Sequence, residues 1–277
     1  MKRFRTFAGA LSLLALCTVL GGCQAVRTTQ AGVVGVDRTQ RMSILVSETE
    51  LRSAAVQAYA QTLKTEDARG ALNADPQMTV RVREITNRVV RSSGAFRPDA
   101  ASWSWEVNLI RSDQVNAWCM PGGKIAVYSG LISKLQLNDD ELAAVIGHEI
   151  AHALREHARE RASEQLTAGL LIQGGAAVLG AGRASVDMVG LVFKVTIGLP
   201  NSRLHESEAD RIGVELAARA GYDPRAAISL WRKMAANSAG GSPQWLSTHP
   251  SADSRIRELE VYANRVMPLY EQARPKR

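Results

Sequence analysis

The chain has 277 residues, 45% of them hydrophobic and 22% charged, with a formal net charge of +7. Length and composition predict one compact globular domain behind an N-terminal export segment. The basic excess is mild, and no recognition module or aromatic-interleaved basic stripe accompanies it, which argues against nucleic acid as a partner.

Residues 1–22 read as a signal peptide. Lys2, Arg3 and Arg5 precede an apolar run from Phe7 to Leu20, too short for a comfortable membrane span. Leu20-Gly21-Gly22-Cys23 resembles the lipobox of bacterial lipoproteins. That resemblance implies cleavage before Cys23 and lipidation of its thiol and new amino group, giving a membrane anchor. With Gln24 rather than aspartate next, it implies the periplasmic face of the outer membrane. Cys17 leaves with the leader, so Cys119 is alone in the mature chain, where it reads as a buried strand thiol.

Residues 23–43 are expected to form a lipidated N-terminus and tether, 44–265 the folded domain, and 266–277 a basic tail ending in Arg274, Lys276 and Arg277. Ser47 with Glu50 makes a capping box that opens a helix to about Lys64. Asp75-Pro76 starts a second helix to about Ser92, with Val82, Ile85, Val89 and Val90 as its core stripe. Trp103, Trp105, Val107 and Leu109 alternate as in a strand with one buried face. Val115–Cys119 and Lys124–Tyr128 form a hairpin around Met120-Pro121-Gly122-Gly123. Gly130–Leu137 is a short helical link.

The stretch Asn138–Arg161 reads as one helix, capped by Asn138 and Glu141, and carries His148-Glu149-Ile150-Ala151-His152. Two histidines four residues apart project from one helix face, as sharing one metal ion requires. Glu149 beside them is placed to act as general base toward a water. Residues 166–200 turn apolar and glycine-rich and read as two packed helices, a lid over the site or a membrane contact.

Two histidines leave a zinc site short of its third ligand. Glu206 and Asp210 stand at i and i+4 in a glycine-stopped helix over Ser202–Gly221. Glu206 is the expected third ligand and Asp210 the acceptor behind His148. Glu208 falls on another face. His157, roughly half a turn round from His148, is expected to miss the metal, and His205 to play a supporting or surface role. His249, in Thr248-His249-Pro250 ahead of Arg255, is a candidate either to stabilise an oxyanion or to gate the metal. Asn116, Ala117, Trp118 and Cys119 are candidates to bind extended substrate by strand addition, with ordinary sheet structure as the alternative.

Taken together these motifs resemble the gluzincin peptidases of family M48, the HtpX-like and CAAX-prenyl-protease relatives, over about Ile44 to Leu259. They resemble in particular the short, LoiP-like envelope lipoproteins. The resemblance implies an α+β, mostly helical zincin domain with a small β-sheet beside the His-Glu-x-x-His helix. It implies one zinc ion on His148, His152 and Glu206, with Glu149 as base and Arg255 supporting. It further implies a metalloendopeptidase in outer-membrane protein quality control, acting on unfolded or misassembled envelope proteins beside assembly machinery. The alternative is a non-catalytic assembly factor that binds such proteins in the same groove. The ligand set alone does not exclude other first-row metals.

Overall fold

In the computed structural model, residues 23–172, 187–237, 244–250 and 253–274 are described. The leader and the middle of the 166–200 stretch lie outside these residues.

Cys23–Val26 (β1) pairs antiparallel with Gln40–Ser43 (β2), Cys23 opposite Ser43. The intervening loop buries Val34 and Val36, and Met42 is fully enclosed. Residues 23–43 are therefore not a free tether: they pack onto the domain. Each of these strands has four residues and mixed polarity, so no apolar alternation announces either.

Glu48–Ala68 (α1) is capped by Ser47, whose hydroxyl accepts from the Glu50 amide, and runs one turn beyond the expected end. Pro76–Arg91 (α2) starts at an Asp75 cap and lays Val82, Ile85 and Val89 into the core as its periodicity predicts. Trp103 and Trp105 are not in a strand. They stack on each other at 5.3 Å, after a short 3-10 turn, and the strand begins at Glu106.

Glu106–Ile110 (β3), Ala117–Met120 (β4) and Lys124–Tyr128 (β5) form a sheet of order β3-β5-β4, with β3 parallel and β4 antiparallel to β5. Gly122 and Gly123 close the β4–β5 turn with φ of +81° and +84°, the left-handed region where only glycine is at ease. At Gly123 a side chain would also strike the Trp105 ring.

Ser129–Lys134 (α3) leads into Asp139–Leu154 (α4), which lies at the centre of the molecule. Its capping box is complete: the Glu141 amide donates to Asn138 Oδ1 and the Asn138 amide to the Glu141 carboxylate. Every residue of α4 from Glu141 to Leu154 is buried. The helix does not continue to Arg161. It breaks at Arg155–Glu156, where Glu156 takes φ +51°, and His157–Ile172 (α5) starts in a new direction. Ion pairs offset the unfavourable backbone: the Glu156 carboxylate accepts from Arg97 at 2.5 Å and Arg159 at 3.0 Å, and Arg155 is wholly buried.

Met188–Phe193 (α6) and a π-turn over Lys194–Gly198 pack against α1 and β4. Arg203–Arg219 (α7) lies backbone to backbone along α4, because a Cβ on Gly147 would sit 2.7 Å from the Gly213 carbonyl oxygen. Ala226–Asn237 (α8), Gln244–Thr248 (α9) and Asp253–Ala273 (α10) complete the fold. Because α10 continues to Ala273 and buries Val266, position 266 does not begin a separate tail. The architecture is the α+β zincin type, mostly helical with small sheets. Among the described residues no helix is long and apolar enough to cross a membrane.

Candidate metal centre and active site

Because Gly147 and Gly213 let α4 and α7 touch, Glu206 and Asp210 reach the histidines of α4. Side-chain donors of His148, His152, Glu206 and His249 lie within 4.8 Å of one another, and all four residues are buried. The two Nε2 atoms of His148 and His152 are 3.1 Å apart. Glu206 Oε1 is 3.4 Å from His152 Nε2, and Oε2 is 3.6 Å from His148 Nε2.

Behind His148, Asp210 Oδ1 lies 3.0 Å from Nδ1. A carboxylate only accepts, so the His148 proton belongs on Nδ1 and Nε2 presents a lone pair to the cluster. That lone pair, His152 Nε2 and the Glu206 carboxylate face one another at this spacing, as donors to a shared cation do. The donor set thus fits a metal ion, with His148, His152 and Glu206 to hold it.

Arg255 fastens both carboxylates. It donates to Asp210 through Nε at 2.6 Å and Nη2 at 2.7 Å. Its Nη1 is 2.6 Å from Glu206 Oε2, off the hydrogen-bond line, so this is a charge contact, and that oxygen accepts no hydrogen bond. Burial alone would raise both acids; for Glu206 the His249 and Arg255 charges prevail, for Asp210 the Arg255 charge and the hydrogen bond to His148, and each is lowered. Burial pushes His152 down to about 3, keeping it neutral as ligation requires.

His249 enters from the loop after α9. Its Nδ1 is 3.0 Å from Glu206 Oε1 and its Nε2 is 3.4 Å from Glu149 Oε1. Burial opposes charge on this ring, but Glu206 and then Glu149 outweigh it and raise its pKa. It sits within the donor cluster rather than beyond it. Glu149 is buried on α4, where Trp245 Nε1 donates to its Oε1 at 2.8 Å.

Sequence reasoning missed several partners. Trp245 fixes Glu149 and stacks on His249 at 4.6 Å. Its position four residues before His249 was the available signal, since the His249 amide donates back to the Trp245 carbonyl at 2.8 Å and brings the two side chains together. Asn201 accepts from Arg161 at 2.7 Å, and its side-chain amide lies 3.4 Å from His249 Nδ1. His157, expected to point away, lies 2.9 Å from the outer nitrogen of His152, because the break at Glu156 turns it back. His205 is buried and stacked on His157.

Cys119 and Pro121, from β4 and its turn, line a cleft beside the cluster with Glu149, Ala153, Val195 and Thr196. Asn116, Ala117, Trp118 and Cys119 are buried, and β4 is an edge of its sheet with the Lys194–Gly198 turn against it. Burial puts the Cys119 thiol well above its usual pKa, which suits an inert packing group. Cys23 is partly exposed and unpaired.

Fold and cluster together define a metallopeptidase: an imidazole pair, a carboxylate from the next helix, and a buried glutamate beside them. The family description "Peptidase family M48" matches residues 76–263, and the chain belongs to that family. It is 31% identical over 267 residues to mitochondrial metalloendopeptidase OMA1 of Schizosaccharomyces pombe, covering 94% of this chain and 72% of that protein. It is 38% identical over 156 residues to the Arabidopsis thaliana protein of the same name, covering 56% of this chain and 31% of that one. The beta-barrel assembly-enhancing protease of Yersinia pestis is 32% identical over 209 residues, 70% of this chain and 40% of that protein. The chain thus spans well under half of the last two relatives.

Proposed function

We propose that the chain is a zinc-dependent endopeptidase of envelope protein quality control, anchored at Cys23 and facing the periplasm. The observation that carries the catalytic part is the convergence of His148, His152 and Glu206 beside the buried carboxylate of Glu149. Two imidazoles and a carboxylate favour zinc, which when bound supplies a Lewis acid and lowers the pKa of a water toward about 7. The chain's own residues do the rest. Glu149 Oε1, held by the Trp245 N–H, takes the attacking water's proton and returns it to the leaving amine. Asp210 and Arg255 keep His148 and Glu206 in place. His249, set among the ligands, fits a gate better than an oxyanion donor, and must swing away for substrate to enter. An extended polypeptide then adds to β4 along Asn116–Met120, once the turn at 194–198 gives way.

The envelope setting is supported by the Leu20–Cys23 motif and by the name of the Yersinia pestis relative, which speaks of β-barrel assembly. The substrates proposed are unfolded or misassembled envelope proteins. A binding factor without catalysis, using the same groove, is the second reading. Complementation separates the two. In a strain lacking the protein, Glu149→Gln at wild-type abundance is expected to fail to restore envelope quality control, whereas full rescue would favour the binding factor.

A further inference from the structure

A buried polar chain runs outward from His152. The His157 Nδ1 lies 2.9 Å from His152 Nδ1, and its Nε2 lies 3.0 Å from Glu208 Oε2. Glu208 in turn accepts from Arg38 Nε at 2.6 Å and from Arg155 Nε at 3.1 Å. A carboxylate gripped by two guanidinium groups can only accept, so the His157 proton resides on Nε2 and its Nδ1 offers a lone pair. That lone pair meets His152 Nδ1, which must therefore carry the proton there and turn a bare Nε2 toward the cluster. Asp210 does the same for His148 directly.

We infer that His157 is a positioning residue: backed by Glu208, it holds His152 in the tautomer that binds metal. This rests on the metal-site reading above. It also makes the N-terminal segment part of the site. Arg38 bridges Glu208 and Glu160, donating to Glu160 Oε1 at 2.6 Å, and Gln40 donates to the Arg155 carbonyl and to Glu160, each at 2.7 Å. Residues that read as a tether close the far end of the chain that begins at the ligand.

The rival explanation is a second metal on His157, Glu160 and His205, whose donors also lie within 4.8 Å of one another. Three features oppose it. Glu160 is already bound to Arg38, Gln40 and His205. The two imidazoles stack at 4.3 Å, nearly parallel at 16°, rather than converging on a point. The guanidinium groups of Arg38 and Arg155 already supply the local positive charge.

The test is zinc affinity of the natural chain by competition with a chromophoric chelator, with the melting temperature of the metal-free form measured beside it. His157→Leu removes the acceptor and is expected to weaken zinc by about 10–100-fold. His157→Gln, whose amide can both accept and donate, is expected to recover most of that loss. Unchanged affinity in a folded His157→Leu protein would overturn the inference. So would two zinc ions per wild-type chain with one lost in His205→Ala. Should the leucine variant not fold, imidazole nitrogen NMR of the zinc-loaded wild type decides. The expected pattern is Nε2–H on His157 with Nδ1–H on His152, and Nδ1–H on His157 refutes it. Failure of the wild type to bind zinc would overturn the metal-site reading and this inference together, whereas zinc binding that ignores His157 overturns only the latter.

Discussion

Gly213→Ala tests how closely the proposed metal ligands depend on the α4–α7 contact. A Cβ on Gly213 would stand 2.7 Å from the His148 amide nitrogen and 2.9 Å from its Cα, both backbone atoms that cannot swing aside. Ordinary contact begins near 3.4 Å, so the helices must part by about 0.7 Å at this point. Overpacking of this kind costs about 1–3 kcal/mol, while alanine regains about 1 kcal/mol of helix propensity over glycine. The metal-free fold should therefore lose no more than about 2 kcal/mol. The site is less forgiving, because ligand distances matter to about 0.2 Å and Glu206 rides on the displaced helix. Zinc affinity is expected to fall at least about tenfold, read by chelator competition, with a smaller relative change in thermal midpoint. Gly94→Ala, where nothing lies within 4 Å of the new methyl, serves as the control and should be silent. Wild-type zinc affinity in Gly213→Ala would refute the claim that glycine contact sets the ligand geometry.

Other expectations follow from the same geometry. Trp245→Phe keeps the stack on His249 but removes the N–H that holds Glu149, so kcat should fall while zinc affinity holds, as steady-state kinetics and metal titration would reveal. If His249 gates the site, His249→Ala should raise casein cleavage by the purified enzyme; a fall would favour the oxyanion role instead. In the metal-free chain, His152 is lowered by burial to about 3 from an ordinary 6.5, so the unfolded chain binds the extra proton between those values. Stability should then drop as pH falls below about 6.5, by up to about 1.4 kcal/mol per unit for such a histidine, in urea melts run with chelator. Asp210, lowered in the fold, contributes its full stabilisation above about 3.9 and adds to the loss as pH falls from there toward its depressed value.

The parts of the site that follow helix geometry were legible in the sequence. His148 and His152 four apart, Glu206 and Asp210 four apart, and the Asn138 cap all obey a period that needs no tertiary knowledge. His157 was not legible, since the left-handed turn at Glu156 is stabilised by Arg97, about 60 residues away in sequence, and a glutamate there does not announce it. Residues 23–43 were misread for a similar reason. Their two strands are too short and polar to show alternation, and what holds them is Arg38 and Gln40 bonding to α5 and α7. Trp103 and Trp105 alternate like strand residues, yet they stack on each other beneath Arg52 because the chain turns before Glu106. Periodicity reads local elements; ion pairs between distant segments decide where those elements stop.

The proposed catalysis depends on Glu149 acting as base beside a metal held by other residues. The most direct measurement is zinc content and casein cleavage on the same purified samples of wild type and Glu149→Gln. The expected result is one zinc per chain in both, equal thermal midpoints, and cleavage reduced at least about a hundredfold in the variant. Cleavage by Glu149→Gln at the wild-type rate would contradict the assignment.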